Sequence, residues 1–180
     1  LRDNKNMQYW IIAILSMLIF ISIYGTHILN PTYTDWLLSG GDLSQHYLGW
    51  RGYRSSSWLF PIGMMDTLVY PDATSIIFTD SIPLFAVFFK ILSPVLPEQF
   101  QYFGLWGIMC FALQGLLAAR ILRNYTENKN LLVVSSLLFV FTPVMIGRMF
   151  GHTSLAGHWI LLLGLEPIFA YKKYHGNKKI

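Results

Sequence analysis

The stretch from Met7 to Leu29 constrains this chain most, because its 23 residues include no acid, lysine or arginine. As an α-helix it is about 34 Å long, which is enough to cross a hydrocarbon layer of about 30 Å. A secretory signal peptide has a shorter apolar region followed by a cleavage site of small residues, and neither is present here. We therefore predict a retained membrane anchor, preceded by Arg2 and Lys5.

The composition extends this conclusion to the whole chain. Charged residues make up 12% of the sequence and hydrophobic residues 54%, whereas soluble domains carry about 25% charged residues. This shortage excludes a soluble enzyme, a disordered tail, a disulfide scaffold and a nucleic-acid-binding protein. The single cysteine, Cys110, lies in an apolar run, so the chain has no intrachain disulfide and no thiol metal site.

Further apolar runs predict additional membrane spans. Together with residues 7–29, the predicted spans are residues 102–122, 131–147 and 154–171. Another apolar run, residues 81–96, contains Pro83, Lys90 and Pro94 and would reach only about 24 Å as a helix. We predict that this run is an interfacial or re-entrant helix, whose backbone ends must be covered by protein.

The distribution of positive residues supports this arrangement, because cytoplasmic loops are enriched in lysine and arginine. If residues 81–96 do not cross, nine positive residues lie inside and four outside. The inside set is Arg2, Lys5, Arg120, Arg123, Lys129, Lys172, Lys173, Lys178 and Lys179, and the outside set is Arg51, Arg54, Lys90 and Arg148. We predict an all-α integral membrane protein with about four transmembrane helices, both ends in the cytoplasm, and a long outer loop at residues 30–101 containing short interfacial helices.

The outer loop carries six of the nine acids. Two of them, Asp42 and Asp80, have sequence neighbours that are typical of a functional cluster or of a helix start. Gly40-Gly41 predicts a turn that opens a short helix. In that helix Asp42 shares one face with Gln45, His46 and Gly49 by i, i+3 and i+4 spacing. An acid beside a histidine and an amide predicts a catalytic or ligand-binding cluster. The alternative is that Asp42 is only a helix N-cap and that His46 packs against a neighbouring helix.

The second acid, Asp80, lies in Thr79-Asp80-Ser81 shortly before Pro83, which is typical of a helix start. Asp80 is therefore either a cap alone or a cap that also takes part in chemistry.

Arg148 lies on the same predicted side of the membrane and could bind a lipid-linked phosphate through charge-assisted hydrogen bonds. The alternative is that its side chain only extends towards the membrane surface. His152 follows Arg148 closely.

Two remaining features add no residue to the candidate site. His152 and His158 are six residues apart, so they do not form a helical metal pair. Glu166 lies inside the last predicted span, and we expect it to pair near the cytoplasmic end, where Lys172 and Lys173 follow.

Several ordered blocks resemble a family of bacterial multi-spanning membrane proteins of unknown function, which is similar to the GT-C glycosyltransferases. The resemblance covers nearly the whole chain and rests on GGDLSQHYLGWRGYR, SWLFPIG, YPDATSIIFTDSIPL, QYFGLWGIMCFALQGLLAARILR and RMFGHTSLAGHW. It implies a GT-C-like transferase in the bacterial cytoplasmic (inner) membrane, with its active face outside. Such an enzyme takes a sugar from a polyprenyl-phosphate donor and transfers it to a glycan or lipid acceptor of the cell surface.

The resemblance also implies roles for individual residues. Asp42 would be the general base on the acceptor hydroxyl, or would help hold a divalent cation where family members use one, and Asp80 would be the second acid of the loop. Gln45 and His46 would orient Asp42 or the sugar, while Arg148, with His152, would hold the donor phosphate. The partners implied are membrane lipid, the donor and the acceptor, and no nucleic acid.

GT-C proteins have longer chains with more spans, so we expect residues 1–180 to be a single membrane domain from the N-terminal part of a longer protein. The alternative is a fragmentary copy that is inactive alone. Two other functions compete with the transferase: a transporter or flippase component, and a non-catalytic structural membrane subunit. A transporter needs polar groups near the bilayer midplane. The middles of the predicted spans are apolar apart from Gln114.

Overall fold

A computed structural model describes residues 3–149 and 151–175 of the chain, with side chains for residues 6–149 and 151–171. The described residues form α1 (Asp3–Tyr24), α2 (Gly41–Ser55), α3 (Pro83–Ile91), α4 (Phe103–Leu122), α5 (Lys129–Val140), α6 (Pro143–Arg148) and α7 (Trp159–His175). Short 3-10 helices lie at His27–Leu29, Ile76–Thr79, Ser93–Val95 and Thr153–Ala156. Strands β1 (Met64–Met65) and β2 (Thr74–Ser75) pair antiparallel, with Met64 opposite Ser75.

The chain divides into two compact units. Unit 1 comprises the described residues of 1–25, 106–146 and 156–180. Unit 2 comprises residues 26–105 and the described residues of 147–155.

Among the described residues, three helical segments are long and apolar enough to cross a membrane, judged by length and composition. They are Asn6–Tyr24, Phe103–Leu122 and Thr153–Tyr171. The prediction of a helical membrane protein is confirmed at this level. The number of spans, their orientation and the position of the loop outside the membrane stay predictions.

The predicted span at residues 131–147 is not one helix. Helix α5 has 12 residues and is about 18 Å long, and a new helix begins at Pro143. A proline disfavours helical backbone in the residue before it, so a break next to Pro143 is expected from its ring. Helix α1 also ends earlier than predicted, because Gly25 adopts a left-handed φ of 80° directly after Tyr24.

Unit 1 is built from long helices whose apolar side chains point both inwards and outwards. Ile12 of α1, Ala119 of α4 and Leu132 of α5 form one buried cluster. Trp10 is nevertheless 70% exposed and Leu161 is 68% exposed. An apolar exterior of this kind is what lipid-facing helices require.

Glu166 of α7 is paired, but with a different partner from the one predicted. Its Oε1 atom lies 2.5 Å from Nη2 of Arg120 in α4. The side chains of Lys172 and Lys173 lie outside the described residues, so the predicted pairing with them has no structural description. The Arg120 pair joins two helices of unit 1 and gives an acid within a candidate membrane span a partner of opposite charge.

Unit 2 has an aromatic core, which fixes α2 and α3 around the start of α4. Tyr102 stacks between Phe89 of α3 and Phe103, with ring centroids 5.3 Å and 4.7 Å away. Trp50 of α2 is fully buried and donates from Nε1 to the carbonyl of Phe100 at 2.9 Å. Aromatic contacts of this size dominate the packing of small cores, and here they hold the helices that carry the predicted site.

Candidate active site

Helix α2 begins at the predicted place, but Asp42 is not its cap. Gly40 and Gly41 have φ angles of 106° and 63°, a left-handed conformation that glycine adopts at little cost. The N-cap is Gly40, and no side chain bonds to the free amides there. The interpretation of Asp42 as only a cap is therefore wrong, and its carboxylate lies in the first turn of α2.

Asp80 does not cap α3 either. The N-cap of α3 is Ile82, without a side-chain hydrogen bond, and Asp80 ends the 3-10 helix Ile76–Thr79 instead. Asp80 and Ile82 both have left-handed backbones, with φ of 55° and 52°. This conformation is costly for residues other than glycine, and it persists only where surrounding contacts determine it.

Those contacts come from α2 and from the start of α4. The Ser81 hydroxyl donates to the carbonyl of His46 at 2.6 Å, and the Tyr102 hydroxyl donates to the carbonyl of Ser81. A Cβ atom on Gly49 of α2 would overlap Thr79 and lie 2.6 Å from Ser81 Oγ. The glycine is therefore required for the close approach of α2 to residues 76–82, which we call the Asp80 turn.

His46 lies at the centre of these segments, with its side chain 2% exposed. Its Nδ1 atom is 3.0 Å from the carbonyl oxygen of Thr79, and its Nε2 atom is 3.1 Å from the carbonyl oxygen of Gly151. The Asp80 Oδ2 atom lies 3.9 Å from Nε2. We call His46 and Asp80 the buried pair, although the Asp80 side chain is 32% exposed.

Ser154 completes the surroundings of Asp80, and sequence reasoning missed it. Its hydroxyl donates to Asp80 Oδ1, so both carboxylate oxygens of Asp80 face protein groups. Serine is common in loops of every kind. Nothing in the local sequence marks Ser154 as the partner of an acid 74 residues earlier.

Asp42 and His152 form a second pair at the surface, which we call the exposed pair. Asp42 Oδ2 lies 3.7 Å from His152 Nδ1, and each side chain is 48% exposed. Neither side chain makes a hydrogen bond to another described residue. Asp42 therefore keeps free lone pairs towards solvent, as a group that receives a proton from a substrate must.

Gln45 lies next to the Asp80 turn, whereas no hydrogen bond or ion pair joins the Arg148 side chain to another described residue. The Gln45 amide donates to the carbonyl of Phe78 at 3.1 Å, at the edge of the Asp80 turn. Arg148 belongs to unit 2 and is partly exposed. Among residues 6–149 and 151–171, no hydrogen bond or ion pair joins its side chain to the others.

The described part of the chain contains no cluster of three or more His, Cys, Asp or Glu side chains that could hold a metal ion. The carboxylate of Asp80 is engaged by Ser154 and lies near His46. A divalent cation at Asp42 would therefore need water or substrate oxygens for the rest of its ligands. The divalent cation that the resemblance allows stays a prediction.

Unit 2 also contains a buried lysine, Lys90, whose sequence neighbours do not indicate a function. Lys90 is 5% exposed, donates to Ser56 Oγ at 3.0 Å, and lies 4.1 Å from the ring centroid of Tyr53. Burial lowers the pKa of Lys90, and the charge of Asp66 opposes this shift. A cation over an aromatic ring is stabilised by the ring's negative face, so Lys90 anchors α3 to α2.

A comparison with protein families matches residues 13–179 to a domain of unknown function, DUF6311. No curated protein and no solved structure matches the chain. The family match covers all of the site residues described above. The chain belongs to the DUF6311 family.

Proposed function

We propose that this protein acts as a membrane glycosyltransferase of GT-C type, which transfers a sugar from polyprenyl phosphate to an acceptor on the outer side of the membrane. The proposal rests chiefly on one observation: residues far apart in sequence converge on one partly open site in unit 2. Helix α2 supplies Asp42, Gln45 and His46, the turn supplies Asp80, and His152 and Ser154 follow α6. Asp42 lies beside His152 and is half exposed, so its carboxylate is suited to accept a proton from a bound hydroxyl.

In the proposed reaction the acceptor hydroxyl oxygen attacks the anomeric carbon of the sugar. The bond from that carbon to the phosphate oxygen breaks, and its electron pair leaves with the phosphate. The hydroxyl proton passes to the carboxylate of Asp42, which His152 steadies. Arg148 binds the phosphate, because a guanidinium can neutralise the charge that develops there.

The proposed membrane arrangement keeps four spans, at residues 7–29, 102–122, 131–147 and 154–171, and the third of them consists of α5 and α6 with a break between the two helices. Both chain ends lie in the cytoplasm of a bacterial cell and residues 30–101 lie outside. The excess of positive residues on the predicted inside supports this orientation.

Helix α3 supports the interfacial part of this proposal. Its nine residues reach about 14 Å, too short to cross a bilayer. Leu84, Phe88 and Ile91 are spaced along one side of it and are 75%, 56% and 62% exposed. An apolar side of this kind suits the boundary between lipid and water.

A transfer assay tests the proposed reaction. Membrane vesicles containing the full-length protein receive a panel of polyprenyl phosphates carrying radiolabelled hexoses or pentoses, and release of polyprenyl phosphate is measured. Asp42→Asn is expected to lower the rate by about 10²–10⁴-fold, because an amide cannot accept the proton.

Asp72→Asn is the matched control. Asp72 is an exposed acid of the same loop, and its side chain makes no hydrogen bond or ion pair within the described residues. This variant should keep the wild-type rate. Equal rates for wild type and Asp42→Asn would contradict the mechanism, and no transfer from any sugar in the panel would favour a structural subunit.

A further inference from the structure

Both ring nitrogens of His46 face backbone carbonyl oxygens, at 3.0 Å and 3.1 Å. A carbonyl oxygen only accepts hydrogen bonds, whereas a neutral imidazole has one N–H group and one nitrogen with a bare lone pair. A neutral ring would therefore direct one lone pair at an oxygen. In a side chain that is 2% exposed, water cannot relieve that contact.

We infer that His46 is an imidazolium cation at neutral pH, with Asp80 as its counter-ion, and that it positions the site without exchanging protons with the substrate. The cation donates one hydrogen bond to Thr79 and one to Gly151. Burying a charge is costly unless it is paired and hydrogen-bonded. Here two charge-assisted hydrogen bonds and the Asp80 carboxylate at 3.9 Å offset that cost.

The other groups around the ring are consistent with this charge. Helix α2 contributes Asp42 one turn earlier, and the segment after α6 contributes His152, which pairs with Asp42. Arg148 ends α6 and makes no ion pair with the described residues. Helix α4 contributes the uncharged ring of Phe103, nearly parallel to His46 with centroids 6.5 Å apart. Asp80 is thus the acid within 4 Å of a ring nitrogen.

Because both nitrogens are engaged, His46 can neither donate to a sugar hydroxyl nor accept from one. Instead, the ring joins α2 to the backbone of Thr79 and to the backbone of Gly151. Those are the segments that present Asp80 and His152. The charge of His46 is independent of the proposed reaction, whereas its positioning role rests on that reaction.

Nuclear magnetic resonance on the full-length protein in lipid nanodiscs tests the charge directly. With ¹⁵N-labelled histidine, the two ring nitrogens of His46 should each carry a hydrogen and give signals typical of protonated nitrogen at neutral pH. The His46→Gln variant identifies these signals by their loss. A single protonated nitrogen beside a bare one would overturn the inference.

Further variants keep the test decisive. If His46→Gln does not fold, removing each other histidine of the protein in turn, beginning with His27, His152, His158 and His175, assigns the His46 signals by elimination. In Asp80→Asn the doubly protonated fraction of His46 should fall, because an opposite charge favours the charged form. An unchanged fraction would contradict the role of Asp80 as counter-ion. These readouts need no substrate, so their failure is distinguishable from failure of the proposed transferase.

Discussion

The buried pair and the exposed pair contain the same two residue types at similar distances, yet their surroundings differ. His46 and Asp80 are 3.9 Å apart, and their side chains are 2% and 32% exposed. Asp42 and His152 are 3.7 Å apart, and both side chains are 48% exposed. Asp42 and His46 lie one turn apart on α2, so a single helix presents one member of each pair.

The difference between the pairs lies in how many hydrogen-bonding positions are already used. In the buried pair, the His46 nitrogens face two carbonyls and Asp80 accepts a bond from Ser154. In the exposed pair, each side chain keeps positions open to solvent. His46 has no free ring nitrogen and so holds structure in place, whereas Asp42 keeps free positions with which it can bind and react.

The largest effect on stability is expected from His46→Ala. Removing one partner of a fully buried ion pair costs about 3–5 kcal/mol, and we expect about 2–3 kcal/mol because Asp80 is one-third exposed. The same change in the exposed pair, His152→Ala, should cost about 0–1 kcal/mol. Thermal unfolding of both variants in detergent micelles measures the difference. Equal unfolding midpoints would show that the two pairs are equivalent.

Gly49→Ala should disturb the buried pair without changing either member. Its new methyl group would overlap Thr79 and press on Ser81, and overpacking of this kind costs about 1–3 kcal/mol. Gly52→Ala is the control one turn along α2, since its Cβ would lie 3.1 Å from side-chain atoms of Thr67 and Leu68, which can move. Unfolding midpoints should fall more for Gly49→Ala. A larger fall for Gly52→Ala would contradict the described approach of α2 to the turn.

Ser154→Ala should have a smaller effect, of about 1–2 kcal/mol, because it removes one hydrogen bond to a partly exposed carboxylate. Ser57→Ala is the matched change, since the Ser57 hydroxyl also faces a carboxylate, Asp66, but at 3.4 Å on the surface. The control should lower stability by less than about 0.5 kcal/mol. If both variants unfold at the same temperature, Ser154 does not hold Asp80.

Helices of this chain were predictable where one physical property dominates. The span predicted at residues 102–122 corresponds to α4, Phe103–Leu122, because a long run of apolar side chains favours one continuous helix. The turn at Gly40-Gly41 correctly predicts the start of α2. Apolar character alone predicts one helix over residues 131–147, whereas the ring of Pro143 disfavours helical backbone before it and separates α5 from α6.

The site was predictable in part, because side-chain chemistry is visible in a sequence and backbone geometry is not. Spacing on α2 identifies Asp42, Gln45 and His46 as neighbours. The carbonyl oxygens that engage His46 belong to the backbone, which every residue has, so no sequence signal reveals them. The left-handed Ile82 likewise follows from tertiary contacts that override local preference.

The most direct test of whether the exposed pair carries the chemistry compares the transfer rates of Asp42→Asn and Asp80→Asn. Each rate is normalised to the amount of folded protein. Asp42→Asn should lose about 10²–10⁴-fold, because the proton acceptor is gone. Asp80→Asn should stay within about tenfold of wild type, because an amide oxygen can still accept from Ser154 while the counter-ion to His46 is lost. A larger loss for Asp80→Asn than for Asp42→Asn would contradict the assignment of chemistry to the exposed pair.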